Sequence, residues 1–335
     1  MARYATILSS GRYIPEIEIT NEIFAGWMGE VNPKLAEVVE KFQASSGITT
    51  RFYAPDDWAT SDLAVEAGKL AIAEAGIKPE DIDMVILGTD SPDYITPATS
   101  VVVQFKLGCI NAGTYDVGCA CASFPTALAQ AAGLIAINPH MKYILVIGAY
   151  MMHKLADIKH DVTAFFYGDG AGAAVVGVSD KPGYVSTSIK ADGSYYKNWG
   201  IYSGGTYEPA TVESVQAGRT KVTLVTPFPA TVNHLGWPAR VRECAANGNF
   251  DLQEIDHIIF TQVNKNSIKI VMDDLGLPVE KAHFIADKWG YMGSACLPIS
   301  FDDAWKTGVI KSGMRVVFCG SGVGYNQAAT CFIMP

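Results

Sequence analysis

Two cysteines one residue apart are the side chains best placed to do chemistry. They lie in Tyr115-Asp116-Val117-Gly118-Cys119-Ala120-Cys121-Ala122-Ser123-Phe124, which reads as the end of a strand, a tight turn and the start of a helix. Pro125-Thr126-Ala127-Leu128-Ala129-Gln130-Ala131 continues the helix. A thiol at such a junction sits near unpaired helix N–H groups, and the positive end of the helix dipole stabilises its thiolate. That is one way to build a nucleophile. The other reading is that both cysteines are small core residues, since free cysteine is commonly buried. This stretch alone leaves both open.

The elements around it alternate. Met1 to Gly11 reads as a first strand, residues 20–46 as helix, and Ser46 to Ala54 as a turn into an extended segment. Thr60-Ser61-Asp62 offers N-cap chemistry for a helix that Gly76 ends. Ile82 to Thr89 and Tyr143 to Gly148 are short apolar runs suited to buried strands. Such alternation implies a mostly parallel sheet covered on both faces. The second half repeats the pattern. Residues 75–87 have a counterpart in 249–260, Tyr143–Gly148 in Met314–Gly320, and the cysteine stretch in Gly290-Tyr291-Met292-Gly293-Ser294-Ala295-Cys296-Leu297-Pro298. Two similar α/β halves follow, 1–175 and 176–335, with a boundary near 170–185. Asn198 to Pro238 is rich in Gly, Tyr, Thr and Pro and reads as an excursion over the surface. It either shapes a substrate entrance or is a solvated loop with a short helix.

The chain has 335 residues, 49% of them hydrophobic and 18% charged, enough for a large core and more than one domain. A net charge of −9 with no basic run argues against nucleic acid or an anionic membrane as partner. Seven cysteines, an odd number, in a long chain without a secretory h-region favour reduced thiols in the cytoplasm. No apolar run reads as long enough to span a bilayer. The Cys-x-Cys pair lacks a second pair at zinc spacing, so no metal site is expected.

With these stretches in order, the chain resembles the thiolase superfamily, specifically the β-ketoacyl-acyl-carrier-protein synthase III group. The carriers are Ser46-Gly47-Ile48-Thr49-Thr50-Arg51, the Asp116–Phe124 stretch, Tyr167-Gly168-Asp169-Gly170-Ala171-Gly172-Ala173-Ala174-Val175, and Asp192-Gly193-Ser194. The resemblance implies a duplicated, five-layered αβαβα thiolase-like fold and a homodimer. It also implies acyl transfer through a cysteine thioester, with coenzyme A or a carrier-protein phosphopantetheine as the acyl carrier and no permanently bound cofactor. It puts Cys121 at the nucleophile position. It places one oxyanion donor at the Cys121 N–H and a second in the glycine turn Gly320-Ser321-Gly322-Val323-Gly324, at Gly322 with Ser321 second.

The chain departs from the group where the family has histidine and asparagine. Thr261 stands at the histidine position and Tyr291 at the asparagine position. Each offers one neutral hydrogen bond and neither titrates near neutral pH. None of His140, His153, His160, His234, His257 and His283 falls on the motif. Ordinary decarboxylative condensation with a malonyl thioester is therefore not expected. Asp90, in Leu87-Gly88-Thr89-Asp90-Ser91, matches the place of a general acid/base glutamate in the related 3-hydroxy-3-methylglutaryl-coenzyme A synthases; alternatively it caps a turn. The positions that hold coenzyme A in the group carry Lys41, Ser45 and Asp161, and the carrier-docking arginine is replaced by Asn266, flanked by Lys265 and Lys269. The expected protein is an acyltransferase or condensing enzyme of specialised metabolism. Its rival is a catalytically reduced scaffold subunit for a thiolase-like partner.

Overall fold

The computed structural model describes residues 3–335. Strand β1 (Tyr4–Tyr13) precedes a short antiparallel pair, β2 (Ile17–Thr20) and β3 (Thr50–Tyr53), which brackets helices α1 (Asn21–Val31) and α2 (Pro33–Ser46). The rest of the first half runs α3 (Thr60–Glu74), β4 (Met84–Gly88), α4 (Thr99–Leu107), β5 (Gly113–Val117), α5 (Ser123–Ile137), β6 (Tyr143–Tyr150) and β7 (Gly170–Ser179). Strand β8 (Tyr184–Ala191) opens the second half, followed by β9 (Trp199–Gly200), α6 (Val212–Gln216) and β10 (Thr223–Leu224). Then come α7 (Val232–Gly248), β11 (His257–Phe260), α8 (Lys265–Asp274), α9 (Ala286–Trp289), α10 (Cys296–Lys306), β12 (Arg315–Gly322) and β13 (Asn326–Ile333).

The two larger sheets are ordered β1-β7-β6-β4-β5 and β11-β12-β13-β8. Strand β4 is parallel to β5 and β6, and β11 is parallel to β12; the remaining pairs within these sheets are antiparallel. The duplication reaches the turn chemistry. Lys78 N–H donates to Asp81 before β4, and Asp251 N–H donates to Glu254 before β11. Asp83 then accepts from the Lys142 and Tyr143 N–H groups, and Asp256 from the Arg315 N–H. Each aspartate thereby pins the register of its strand to the next one. The second sheet lacks a full counterpart of β5; only a bridge from Ile258 to Ala282 occupies that place.

Helices α5 and α10 lie between the sheets and pack on strands of both. Their core joins Phe124, Leu128 and Ile135 to Phe301, Phe318 and Phe332. Helices α3 and α4 cover the outer face of the first sheet, and α7 and α8 that of the second. The order is αβαβα, as the resemblance implies. Central burial also explains a feature read differently from sequence. Ala120–Ile137 forms an 18-residue run long and apolar enough to cross a membrane by length and composition, and 67% of it is buried inside the protein. Covered from two sides, such a helix has little need of a polar face.

Other expectations shift in detail. The first strand begins at Tyr4; Met1 and Ala2, which the sequence reading included, lie outside the described residues. The helical stretch 20–46 is two helices, because Asn32 is extended and its side chain caps α2, with Pro33 as the first helical residue. The cap of α3 is Ala59, and Asp62 turns its carboxylate back to the Ala59 N–H. A division after residue 175 would cut β7; the chain leaves the first sheet at Ser179 and enters the second at Tyr184. The excursion at 198–238 ends inside α7, which starts at Val232.

Candidate active site

Two similar elbows meet between the sheets. After β5 the chain makes one 3-10 turn, Ala120–Ala122, and enters α5. After α9 it makes another, Gly293–Ala295, and enters α10. The first residue of each turn is left-handed, with φ 47° at Ala120 and 42° at Gly293. A left-handed alanine is strained, and it throws the next residue out of the helical path. Residue for residue, Ser294 is the counterpart of Cys121, and Cys296 that of Ser123.

Strand β12 passes directly behind the cysteine elbow. A Cβ on Gly322 would lie 2.0 Å from the Cys119 carbonyl oxygen, and one on Gly320 2.8 Å from that of Cys121. Gly322 is extended, at φ −113° and ψ 161°. The requirement is for a missing side chain and not for a special dihedral. This corrects the reading of 320–324 as one glycine turn. Gly320 and Gly322 finish β12, and Gly324, at φ 108°, lies in the turn.

A pocket of about 210 Å³ opens at the elbow, with Cys121, Asp90, Tyr150 and Tyr291 among its lining. Phe166 and Phe228 line it too, together with Trp199 and Leu224, which face each other across the β9–β10 pair. The excursion thus contributes wall to the pocket. A larger cavity of about 600 Å³ between Tyr196, Tyr207 and Val225 has no cysteine in its lining, whereas the smaller one holds Cys121.

Tyr291 is held by its backbone. Its N–H donates to the Phe166 carbonyl (2.9 Å), and its own carbonyl accepts from Gly168 N–H (2.8 Å). Gly290 before it takes φ 79°, and a Cβ there would meet Arg51 Cβ at 2.7 Å. The Tyr291 hydroxyl meets Cys121 Sγ at 2.5 Å. Burial pushes the Cys121 thiol well above its usual range, the nearby Cys296 and Asp90 add to this, and the Tyr291 hydrogen bond opposes it. Desolvation here outweighs the helix-end stabilisation expected from sequence.

Asp90 follows β4 and is enclosed by protein except where it faces the cavity. Burial raises its carboxyl to about 6, against the opposing effect of its own backbone N–H. Thr261 is elsewhere. Its side chain is buried, its oxygen accepts from the Ser321 N–H (3.2 Å), and it is not among the pocket-lining residues. Among the described residues no histidine lines the pocket. His153 pairs with Asp169, His234 with Ser267 (3.0 Å) and His283 with Asp303 (2.8 Å). The structure therefore brings together Cys121, Asp90 and Tyr291, keeps Gly322 against the elbow and leaves Thr261 behind it. Sequence reasoning missed Ser294 and Tyr150. Carrying the internal repeat through residue by residue would have found Ser294; nothing in the sequence marks Tyr150.

The comparisons agree with this architecture. Residues 115–193 match the family model of 3-oxoacyl-acyl-carrier-protein synthase III, and residues 245–333 match the model of its C-terminal part. A synthase III from Thermus thermophilus is 27% identical, with a TM-score of 0.87, over 98% of this chain and 99% of that one. The priming β-ketosynthase of a polyketide pathway is 25% identical, with a TM-score of 0.86, over 100% of this chain and 97% of that one. A variant of OleA from Xanthomonas campestris shares the fold at 19% identity and TM-score 0.82, over 99% of each chain. Two matching models that together span half the sequence, a fold superposable along nearly all of it and a cysteine elbow between duplicated sheets lead to one conclusion: the chain belongs to the 3-oxoacyl-acyl-carrier-protein synthase III family of thiolase-fold condensing enzymes.

Proposed function

We propose that Cys121 takes an acyl group as a thioester, from coenzyme A or the phosphopantetheine arm of a carrier protein, and passes it to an acceptor in specialised metabolism. The Cys121 sulfur attacks the thioester carbonyl, the tetrahedral oxyanion collapses, and the carrier thiol leaves with a proton. The Cys121 and Gly322 N–H groups are our candidates for the oxyanion donors. Asp90 supplies and removes protons, and Tyr291 offers a phenol hydrogen bond to the sulfur. The observation that supports this reading is one pocket shared by a cysteine and a carboxyl, without a histidine in its lining. No imidazolium is available there to hold the enolate left by malonyl decarboxylation. An acceptor that is already electron-rich, such as an activated ring, needs no such hole.

Incubation with short and medium acyl-coenzyme A donors, read by intact mass, tests the first step. One acyl adduct on the wild type and none on Cys121→Ala is expected. No adduct with any donor, or one that survives the substitution, overturns the proposal.

The raised Cys121 thiol favours a second reading, a catalytically reduced subunit serving a thiolase-like partner. Turnover by the isolated protein would remove it. For the homodimer, the supporting feature is β5, an edge strand beside exposed Val101, Phe105 and Ile110. A second copy would cover these side chains and the open strand edge.

A further inference from the structure

The Ser294 hydroxyl has two oxygen neighbours and one proton. It lies 2.6 Å from the Ala149 carbonyl oxygen and 3.3 Å from Asp90 Oδ1. A carbonyl can only accept. Ala149 is fully buried and lies one residue past Gly88–Gly148, the last pair between β4 and β6. The shorter contact, to an obligate acceptor, holds the hydroxyl hydrogen. Toward Asp90, Ser294 is left with a lone pair. A carboxylate facing that lone pair is repelled; a carboxylic acid donates to it.

We propose that Ser294 is a positioning residue that keeps the proton on Asp90, so that the carboxyl enters the pocket as an acid. The fold fixes this arrangement rigidly. A Cβ on Gly148 would lie 2.3 Å from the Ser294 carbonyl oxygen, so the second elbow is pressed against β6 with no slack. The groups facing Asp90 from the packed elements are the thiols of Cys121 and Cys296 and the phenols of Tyr150 and Tyr167. Among the described residues none of these is a cation that would hold a carboxylate charged. The duplicated elbow is thus divided by role. One copy presents the sulfur nucleophile, and the other, at the matching position, holds the neighbouring acid un-ionised. Only the use made of the proton rests on the proposed function.

The test reads the carboxyl directly. Protein labelled with carbon-13 in aspartate side-chain carboxyls is titrated by NMR, and the Asp90 signal is assigned by its loss in Asp90→Asn. In the wild type Asp90 should titrate above the ordinary aspartate range. In Ser294→Ala, which removes the accepting lone pair, it should become a roughly threefold to tenfold stronger acid. Ser294→Cys keeps a γ atom in place with a poorer acceptor and should move the same way, which guards against misfolding of the alanine variant. A titration that is unmoved, or moved toward weaker acid, in the folded variants overturns the proposal, since the second result means Ser294 was donating. An ordinary wild-type titration overturns it too. The acyl-adduct experiment on Cys121 is independent, so failure of one does not imply failure of the other.

Discussion

Substituting Gly322 by alanine isolates the close approach on which the nucleophile's position depends. The new Cβ would stand 2.0 Å from the Cys119 carbonyl oxygen and 2.9 Å from Ala120 Cβ. Non-bonded carbon and oxygen do not approach within 3.0 Å, so the elbow or β12 must recede by about 1 Å. Neither yields easily. Strand β12 is paired on both sides, and Cys119 N–H is tied to Ser123 Oγ at 3.0 Å. Overpacking of this kind costs about 1–3 kcal/mol of stability. Because Gly322 is already extended, the penalty is steric and not conformational. Displacing a reacting atom by ~1 Å lowers rates on the order of a hundredfold. The assay pairs thermal unfolding with the initial rate of acyl-adduct formation on Cys121 by mass spectrometry. Gly118→Ala is the control, since a Cβ there meets nothing within 4 Å. The expected pattern is a lower Tm and slow acylation for Gly322→Ala and neither for Gly118→Ala. A Gly322→Ala protein as stable and as quickly acylated as the wild type refutes the reasoning.

Tyr291→Phe removes the hydrogen bond that opposes the raised Cys121 thiol. Alkylation of Cys121 by iodoacetamide, followed at the peptide level, should then need higher pH and run severalfold slower at pH 8. Asp90→Asn should leave the first acylation of Cys121 in place and abolish release of the acyl group to an acceptor; undiminished turnover would remove Asp90 from the mechanism. Asp303 is buried, which alone would raise its carboxyl, but His283, Lys288 and Arg12 hold it down to about 2. Its native value lies below its unfolded one of 3.8, so its contribution is present above about pH 4 and is lost as pH falls toward 2. The amount is about 2 kcal/mol. Thermal unfolding of Asp303→Asn should accordingly trail the wild type at pH 6 and converge with it at pH 2. Phe105→Glu, a charge on a side chain 81% exposed beside the β5 edge, should give a monomer by light scattering if this face joins two copies.

Much of the layered fold was legible in the sequence, because burial writes itself into residue type. Ile82–Thr89 and Tyr143–Gly148 carry no polar face and became inner strands of one sheet, and the acidic turns before β4 and β11 repeat with the same hydrogen bonds. The cysteine elbow was legible too, since small residues and a turn at the end of a strand mark a tight junction before a helix. What sequence could not give was which neighbours meet across the two halves. Thr261 occupies the expected motif position yet turns its oxygen to β12, while Asp90, from a different strand end, reaches the pocket. The thiol's environment reversed the expected sign, because helix-end stabilisation is local and readable, whereas desolvation comes from packing by residues distant in sequence, and Cys296 and Asp90 raise the thiol further. The glycines of β12 matter through atoms two hundred residues away. By itself, then, the sequence determined the strands, the helices, their repetition and the candidate nucleophile, all properties of contiguous residues. Only the tertiary structure decided which carboxyl, phenol and hydroxyl stand beside that sulfur, because their proximity arises from packing two halves against one another and not from spacing along the chain.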